Sequence, residues 1–192
     1  MTQASSSAAS FAQLGIIAPL LNRLTELAYV SPTPVQAATI PAVLAGRDVL
    51  AGANTGSGKT AAFAVPLLQQ LVEAKTDDKT GAYVRCLVLV PTRELAQQVA
   101  DSFLSYASHL NGKLKIVAAF GGVSVNAQMQ SLRAGADVLV ATPGRLLDLL
   151  SSNAIKLNRV SALVLDEADR MLSLGFTEEL AQVLDALPAK KQ

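Results

Sequence analysis

The chain reads as an α/β domain, a mostly parallel sheet flanked by helices on both faces. Three observations predict it. Five short apolar, β-branched runs recur along the 192 residues, at 49–53, 86–90, 116–120, 138–141 and 162–165. They are continuous rather than alternating, as strands buried on both faces are. Helical patterns separate them at 59–73, 93–108, 125–133 and 145–150, and this alternation implies parallel pairing through right-handed crossovers. Each run also ends in hydroxyls, glycines, arginines or acids, and open parallel sheets bind ligands at that edge.

Taken in order, residues 1–10 are small and polar, with neither a basic nor an apolar stretch. They read as a disordered lead-in and not as a secretory signal. The run at 49–53 leads into Ala53-Asn54-Thr55-Gly56-Ser57-Gly58-Lys59-Thr60. This is a phosphate-binding loop with Ala53 where the strict pattern has its first glycine. Gly56 and Gly58 let the backbone curl so that N–H groups approach phosphate oxygens. The helix from Lys59 to about 73 aims its positive end at the same place. Lys59 would neutralise the outer phosphates, and the Thr60 hydroxyl would ligate Mg²⁺. An ordinary glycine turn would need neither the strand before it nor an acidic partner elsewhere.

Residues 76–81 form a polar linker. The run at 86–90 leads to Pro91-Thr92-Arg93-Glu94, that at 116–120 to Gly121-Gly122, and that at 138–141 to Thr142-Pro143-Gly144-Arg145. The run at 162–165 leads to Asp166-Glu167-Ala168-Asp169. A strand ending in Asp is the usual second half of a triphosphate site: Asp166 would hold Mg²⁺ through water, and Glu167 would orient or deprotonate an attacking water. Helix capping by Asp166 alone would explain one acid and not the set. A last helix spans about 177–187, and Pro188 ends it.

Composition narrows the classes. Apolar residues make up 51% of the chain and charged residues 16%. No run reaches the roughly 18 apolar residues of a membrane span. Net charge is +1, so any nucleic-acid site must be local and not a global basic field. Cys86 is the single cysteine, which excludes disulfide frameworks and cysteine metal sites. It reads as a core thiol, compatible with a reducing cytoplasm. His109, the single histidine, has no assigned role. Five phosphate-friendly strand ends exceed what one triphosphate uses, and a nucleic-acid backbone is the economical second ligand. Taken alone, the pairs Thr92/Arg93 and Thr142/Arg145 read equally as helix caps with surface ion pairs.

The ordered set Pro32-Thr33-Pro34-Val35-Gln36, Gly58-Lys59-Thr60, Pro91-Thr92-Arg93-Glu94-Leu95-Ala96, Gly121-Gly122, Thr142-Pro143-Gly144-Arg145 and Asp166-Glu167-Ala168-Asp169 resembles the first RecA-like domain of a DEAD-box ATP-dependent RNA helicase. Residues 120–148 are most similar to the bacterial RhlE-type branch. The resemblance begins at about Phe11 and covers 11–192, with a Q-motif region over about 11–39. It implies ATP and Mg²⁺. Gln36 would read the adenine edge, Tyr29 would stack on the base and Phe11 would pack beside it, although both aromatics also suit a plain core. Pro91, Thr92, Arg93, Gly121, Gly122, Thr142, Gly144 and Arg145 would hold an RNA sugar–phosphate backbone, a sequence-tolerant mode. Asp169 would couple the acidic motif to a later Ser-Ala-Thr motif.

Two departures stand out: Ala28 replaces the usual glycine before the aromatic, and Asn54 replaces a common glutamine. The chain stops at Gln192, ahead of the Ser-Ala-Thr motif and the second RecA-like domain. The expectation is therefore a monomeric, membrane-free, nucleotide-binding half that hydrolyses little alone. A DNA-directed motor and a nucleotide-gated RNA clamp are the alternatives. Intact Lys59, Thr60, Asp166 and Glu167 argue against a dead site.

Overall fold

The computed structural model describes residues 10–54, 56–74, 83–112 and 114–192. The expected lead-in over 1–9, the linker over 76–81 and Thr55 lie outside the described residues. The chain divides into two compact units, one of residues 1–72 with 106–111, the other of 73–105 with 112–192.

The first unit is helical among its described residues. Helix α1 (Ala18–Glu26) starts at a proline and buries Leu20 and Leu24, one turn apart. Helix α2 (Pro34–Leu44) starts with a capping box: the Thr33 hydroxyl accepts the Gln36 N–H while the Gln36 side chain accepts the Thr33 N–H. Helix α3 (Lys59–Glu73) buries Ala61, Ala62, Val65, Leu68 and Leu71 around most of its girth. Gln69 ties α3 to the turn before α1. Its Oε1 accepts the Ile17 N–H at 3.1 Å, and its Nε2 donates to the Gly15 carbonyl at 3.1 Å. Gln70 Nε2 donates to the Val43 carbonyl at 2.7 Å. Gln69 thus spends its buried amide on backbone ahead of α1, and Gln70 ties α3 to the last turn of α2.

The second unit holds the sheet. In chain order it runs β1 (Val84–Leu89), α4 (Arg93–Ala107, whose last two residues count with the first unit), β2 (Ile116–Ala119), α5 (Val125–Leu132), β3 (Ala136–Ala141), α6 (Pro143–Ser151), β4 (Ala162–Leu165), α7 (Ala168–Ser173) and α8 (Thr177–Asp185). The four strands are all parallel in the order β2-β3-β1-β4. Register is set by Val88 opposite Val140 and Val164, and by Ala118 opposite Val140. Leu87, Leu89, Leu139, Leu146, Leu149, Met171 and Val183 form the core beneath. Cys86 is wholly buried, and desolvation pushes its thiol up to about 12, so it is an inert core group.

Four of the five expected strands form, and two expectations change. Residues 49–53 are not a strand: Val49 is 41% exposed and Leu50 fully so. An apolar run becomes a strand only where a neighbour completes its ladder, and no described residue pairs with this one. The outer strands also differ from the inner ones. The central β1 and β3 are buried almost throughout, whereas β2 and β4 are half-exposed. Sheet position, which residue type does not encode, sets that difference. The helices α1, α2 and α7 were not read from periodicity.

Ala28 has φ 60°, in the left-handed region. A Cβ there costs about 1–2 kcal/mol, of which glycine's extra unfolded-state entropy cancels part. Ala28→Gly should therefore stabilise the chain by about 0.5–1 kcal/mol. A urea midpoint that stays put or falls would refute the strain.

Candidate functional site

In the first unit the loop ahead of α3 takes the shape a phosphate cradle needs. Gly56 (φ 81°) and Gly58 (φ 87°) are both left-handed, a conformation L side chains resist. Gly58 is constrained a second time, because a Cβ there would run into the amide of Gln36. Lys59 and Thr60 open α3, so the unpaired N–H groups of a helix start lie directly after the loop. The Ser57 hydroxyl is buried without a hydrogen-bond partner. Such an orphan is costly, and an anionic oxygen would satisfy it. A groove of about 630 Å³ runs beside the loop, lined by Thr33, Val35, Thr39, Leu50, Ala53 and Ser57. The residues present fit a polyphosphate.

Gln36 is 1% exposed and its amide is fully engaged. Its Oε1 accepts the Thr33 N–H at 2.9 Å, and its Nε2 donates to the Gly58 carbonyl at 3.1 Å. In this state the amide reads the chain's own cap and phosphate loop. The Thr-x-x-Gln spacing is the signal of a capping box, which the sequence reading did not use. The second tie, across 22 residues, leaves no such signal. In the same unit, Phe11 packs edge-on to Tyr29 at 6.2 Å, and Tyr29 edge-on to Tyr106 at 6.1 Å. The Tyr29 and Tyr106 hydroxyls hydrogen-bond at 2.8 Å. Burial, with that bond, pushes the Tyr106 phenol well above the usual tyrosine range; it stays neutral. His109, given no role above, has Nε2 at 3.1 Å from Glu26.

In the second unit the carboxyl edge of the sheet gathers the other candidates into a row. Beyond the strands the ladder continues: the Thr142 N–H donates to the Ala119 carbonyl, Val90 to Ala141 and Asp166 to Leu89, at 3.0–3.1 Å. Phe120–Gly122, Thr142–Arg145, Pro91–Arg93 and Asp166–Asp169 therefore emerge side by side in sheet order. Thr92 accepts the Leu95 N–H at 3.3 Å, and Arg93 pairs with Glu94 at 2.7 Å on the open surface. These are the cap and surface ion pair anticipated as the plain alternative. Gly122 (φ 84°) lies against the Arg93 guanidinium, 3.4 Å from where a Cβ would stand. Thr142 makes no capping bond, although it precedes α6.

Arg145 faces inward, its side chain only 9% exposed. Its Nη1 donates to Gln128 Oε1 at 2.6 Å and its Nη2 to the Val123 carbonyl at 3.1 Å. Its Nε is 3.4 Å from Asp148, ion-pair range without hydrogen-bond alignment. Gln128 was not singled out from the sequence. Its only signal is a polar residue on the buried stripe of α5, with Leu132 one turn on.

At the acidic segment Asp166 Oδ1 accepts the Glu167 N–H at 3.1 Å. Glu167 is itself the N-cap of α7, left-handed at φ 52° and ψ 47°, so the plain alternative of a cap by Asp166 does not hold. Arg170 holds the Glu167 carboxylate at 3.1 Å. Asp169 is exposed. No group of three His, Cys, Asp or Glu converges as a metal cluster among the described residues. A divalent ion would thus depend on few side chains plus its ligand's own oxygens.

The DEAD/DEAH box helicase family model matches residues 33–192. An ATP-dependent RNA helicase DeaD of Mycobacterium tuberculosis is 47% identical over 186 residues, 97% of this chain and 32% of that protein. The protein of the same name from Escherichia coli K12 is 46% identical over 183 residues, 95% of this chain and 28% of that protein. One from Buchnera aphidicola (strain Bp) is 43% identical over 183 residues. The chain thus spans less than a third of the length of these relatives.

Gln36 ties a helix cap to the phosphate loop without any ligand. Gln36→Ala should cost about 1–2 kcal/mol of stability in ligand-free buffer. An unchanged urea midpoint would show that neither tie contributes.

Proposed function

The chain belongs to the DEAD/DEAH box helicase family, and from that premise we propose that it is the ATP-binding half of an ATP-dependent RNA helicase, within the RhlE-like branch. The branch assignment rests on residues 120–148, since the relatives above carry the DeaD name. The observation that carries the function is the double-glycine loop running into α3 with a buried, unpartnered Ser57 hydroxyl beside it.

On this reading the N–H groups of 56–60 would cradle the phosphates, Lys59 would neutralise the outermost ones, Thr60 would offer its hydroxyl to Mg²⁺, and Asp166 would hold the ion through water. When bound, Mg²⁺ withdraws charge from the phosphates and orients them. Glu167 takes the proton of the attacking water, its carboxylate positioned by Arg170 and by a backbone turn that only a left-handed residue completes. Gln36 exchanges the Gly58 carbonyl for the adenine edge, with Tyr29 stacked on the base and Phe11 behind it. Pro91, Thr92, Arg93, Gly121, Gly122, Thr142, Gly144 and Arg145 form a backbone-reading edge for single-stranded RNA. A second RecA-like domain of the longer protein, reached partly through Asp169, completes both sites, so turnover by this chain alone is low.

The decisive assay is steady-state ATP turnover with and without single-stranded RNA, in this chain and in one extended through a second domain. RNA-stimulated turnover confined to the longer chain is expected. Stimulation by DNA in place of RNA would mark a DNA motor, and stimulation by neither would sink the helicase reading. Lys59→Ala should weaken ATP binding at least ~tenfold, the worth of one charge-assisted contact; unchanged affinity would remove Lys59 from the site. In the two-domain chain, Glu167→Gln should retain ATP binding and slow turnover ~10²–10⁴-fold, the range for a general base. Normal turnover would reassign the water-activating role.

A further inference from the structure

We infer that Gln128 is a positioning residue for the nucleic-acid edge, the strut that fixes the Gly121–Gly122 turn and aims Arg145; the inference rests on the RNA reading above. Gln128 is on the buried stripe of α5, 8% exposed, where an apolar side chain of its size would fill the same space. A buried amide is costly there unless both its ends are satisfied. Both are, and each by a group of the proposed RNA edge. Nε2 donates to the Phe120 carbonyl at 3.2 Å, the last residue before the two glycines. Oε1 accepts from Arg145 Nη1 at 2.6 Å.

The other side of the guanidinium closes a loop. Arg145 Nη2 reaches the Val123 carbonyl at 3.1 Å, the first residue after the glycines. The turn is thus pinned at its entry by Gln128 and at its exit by Arg145, and Gln128 also pins Arg145. Between the pins, Gly122 is left-handed with Arg93 against it. Two glycines have the largest backbone freedom to lose. A backbone-reading site needs that loss made before the ligand arrives. A glutamine is the one uncharged side chain of this length that both accepts from a guanidinium and donates to a carbonyl.

The test uses Gln128→Met, similar in size and without either hydrogen bond, and Gln128→Glu, which keeps the acceptor for Arg145 and cannot donate to Phe120 when ionised. Amide hydrogen exchange over 121–124 is read without ligand, and affinity for a labelled oligouridylate is titrated across salt concentrations. Gln128→Met should speed exchange over 121–124 and weaken RNA binding, each ~tenfold. The slope of log K against log salt should become shallower by ~0.7, one phosphate contact on a single strand. A merely destabilised chain would lose active fraction and keep its slope. Gln128→Glu should loosen Gly121 while leaving the slope nearer the original, and it carries the test if Gln128→Met does not fold. Unchanged exchange over 121–124 in either variant overturns the inference. So does faster exchange with unchanged affinity and slope in a chain that binds RNA. Affinities are read in the chain extended through the second domain; failure of that unsubstituted chain to bind the oligouridylate overturns the RNA reading and the affinity half of this inference, while exchange still decides whether Gln128 holds the turn.

Discussion

The parallel ladder does not stop where the strands do, and the second unit depends on that. Three further backbone hydrogen bonds, Thr142 to Ala119, Val90 to Ala141 and Asp166 to Leu89, carry the pairing one residue into the loops. They fix the first residue of each loop at strand spacing. Thr142, Val90 and Asp166 are therefore placed by the sheet's own backbone bonds. The sheet's apolar core supplies the rigidity, and the loops supply the chemistry, the usual division of labour in open α/β sheets.

The first unit solves the same problem without a sheet. Its loop is held by side-chain amides: Gln36 at Gly58, with Gln69 and Gln70 bracing α3 against the turns that flank α1 and α2. Amides suit this because each carries a donor and an acceptor on one short arm. The second unit uses the same device once, at Gln128. Gln36, Gln69 and Gln128 are three of the four buried polar residues among the described ones, and each ties its helix to backbone outside it.

Much of this was legible in advance. Continuous β-branched runs located four strands, and the glycine, arginine and acidic clusters after them located the edge. Helix α3 was read to its end, because small and apolar residues persist from Lys59 to Glu73. What could not be read was pairing. Residues 49–53 have a strand's composition, yet composition does not supply a neighbour. Nor does sequence show where a long side chain turns. Arg145 looks like a phosphate ligand on paper and folds inward onto Gln128 and Val123. Gln128 itself was not singled out, since half of the eight residues of α5 are polar and residue type does not tell which of them turns inward. Glu167 was legible as chemistry but not as backbone, because a left-handed turn at a non-glycine residue leaves no compositional mark.

On the proposed reading of Gln36, its engagement with Gly58 sets an internal competitor to the base. If adenine takes this amide, it must outbid the Gly58 carbonyl and leave the Thr33 cap intact. A base presenting the wrong donor and acceptor order gains nothing by displacing that carbonyl, and the amide stays with its loop. Selectivity of this kind needs no steric clash with the rejected base. It comes from a resting state that is already satisfied, so discrimination is measured against the protein's own contact and not against water. The same contact joins base to phosphates: a base that draws Gln36 away also frees the Gly58 carbonyl, and the loop beneath the phosphates learns which base has arrived.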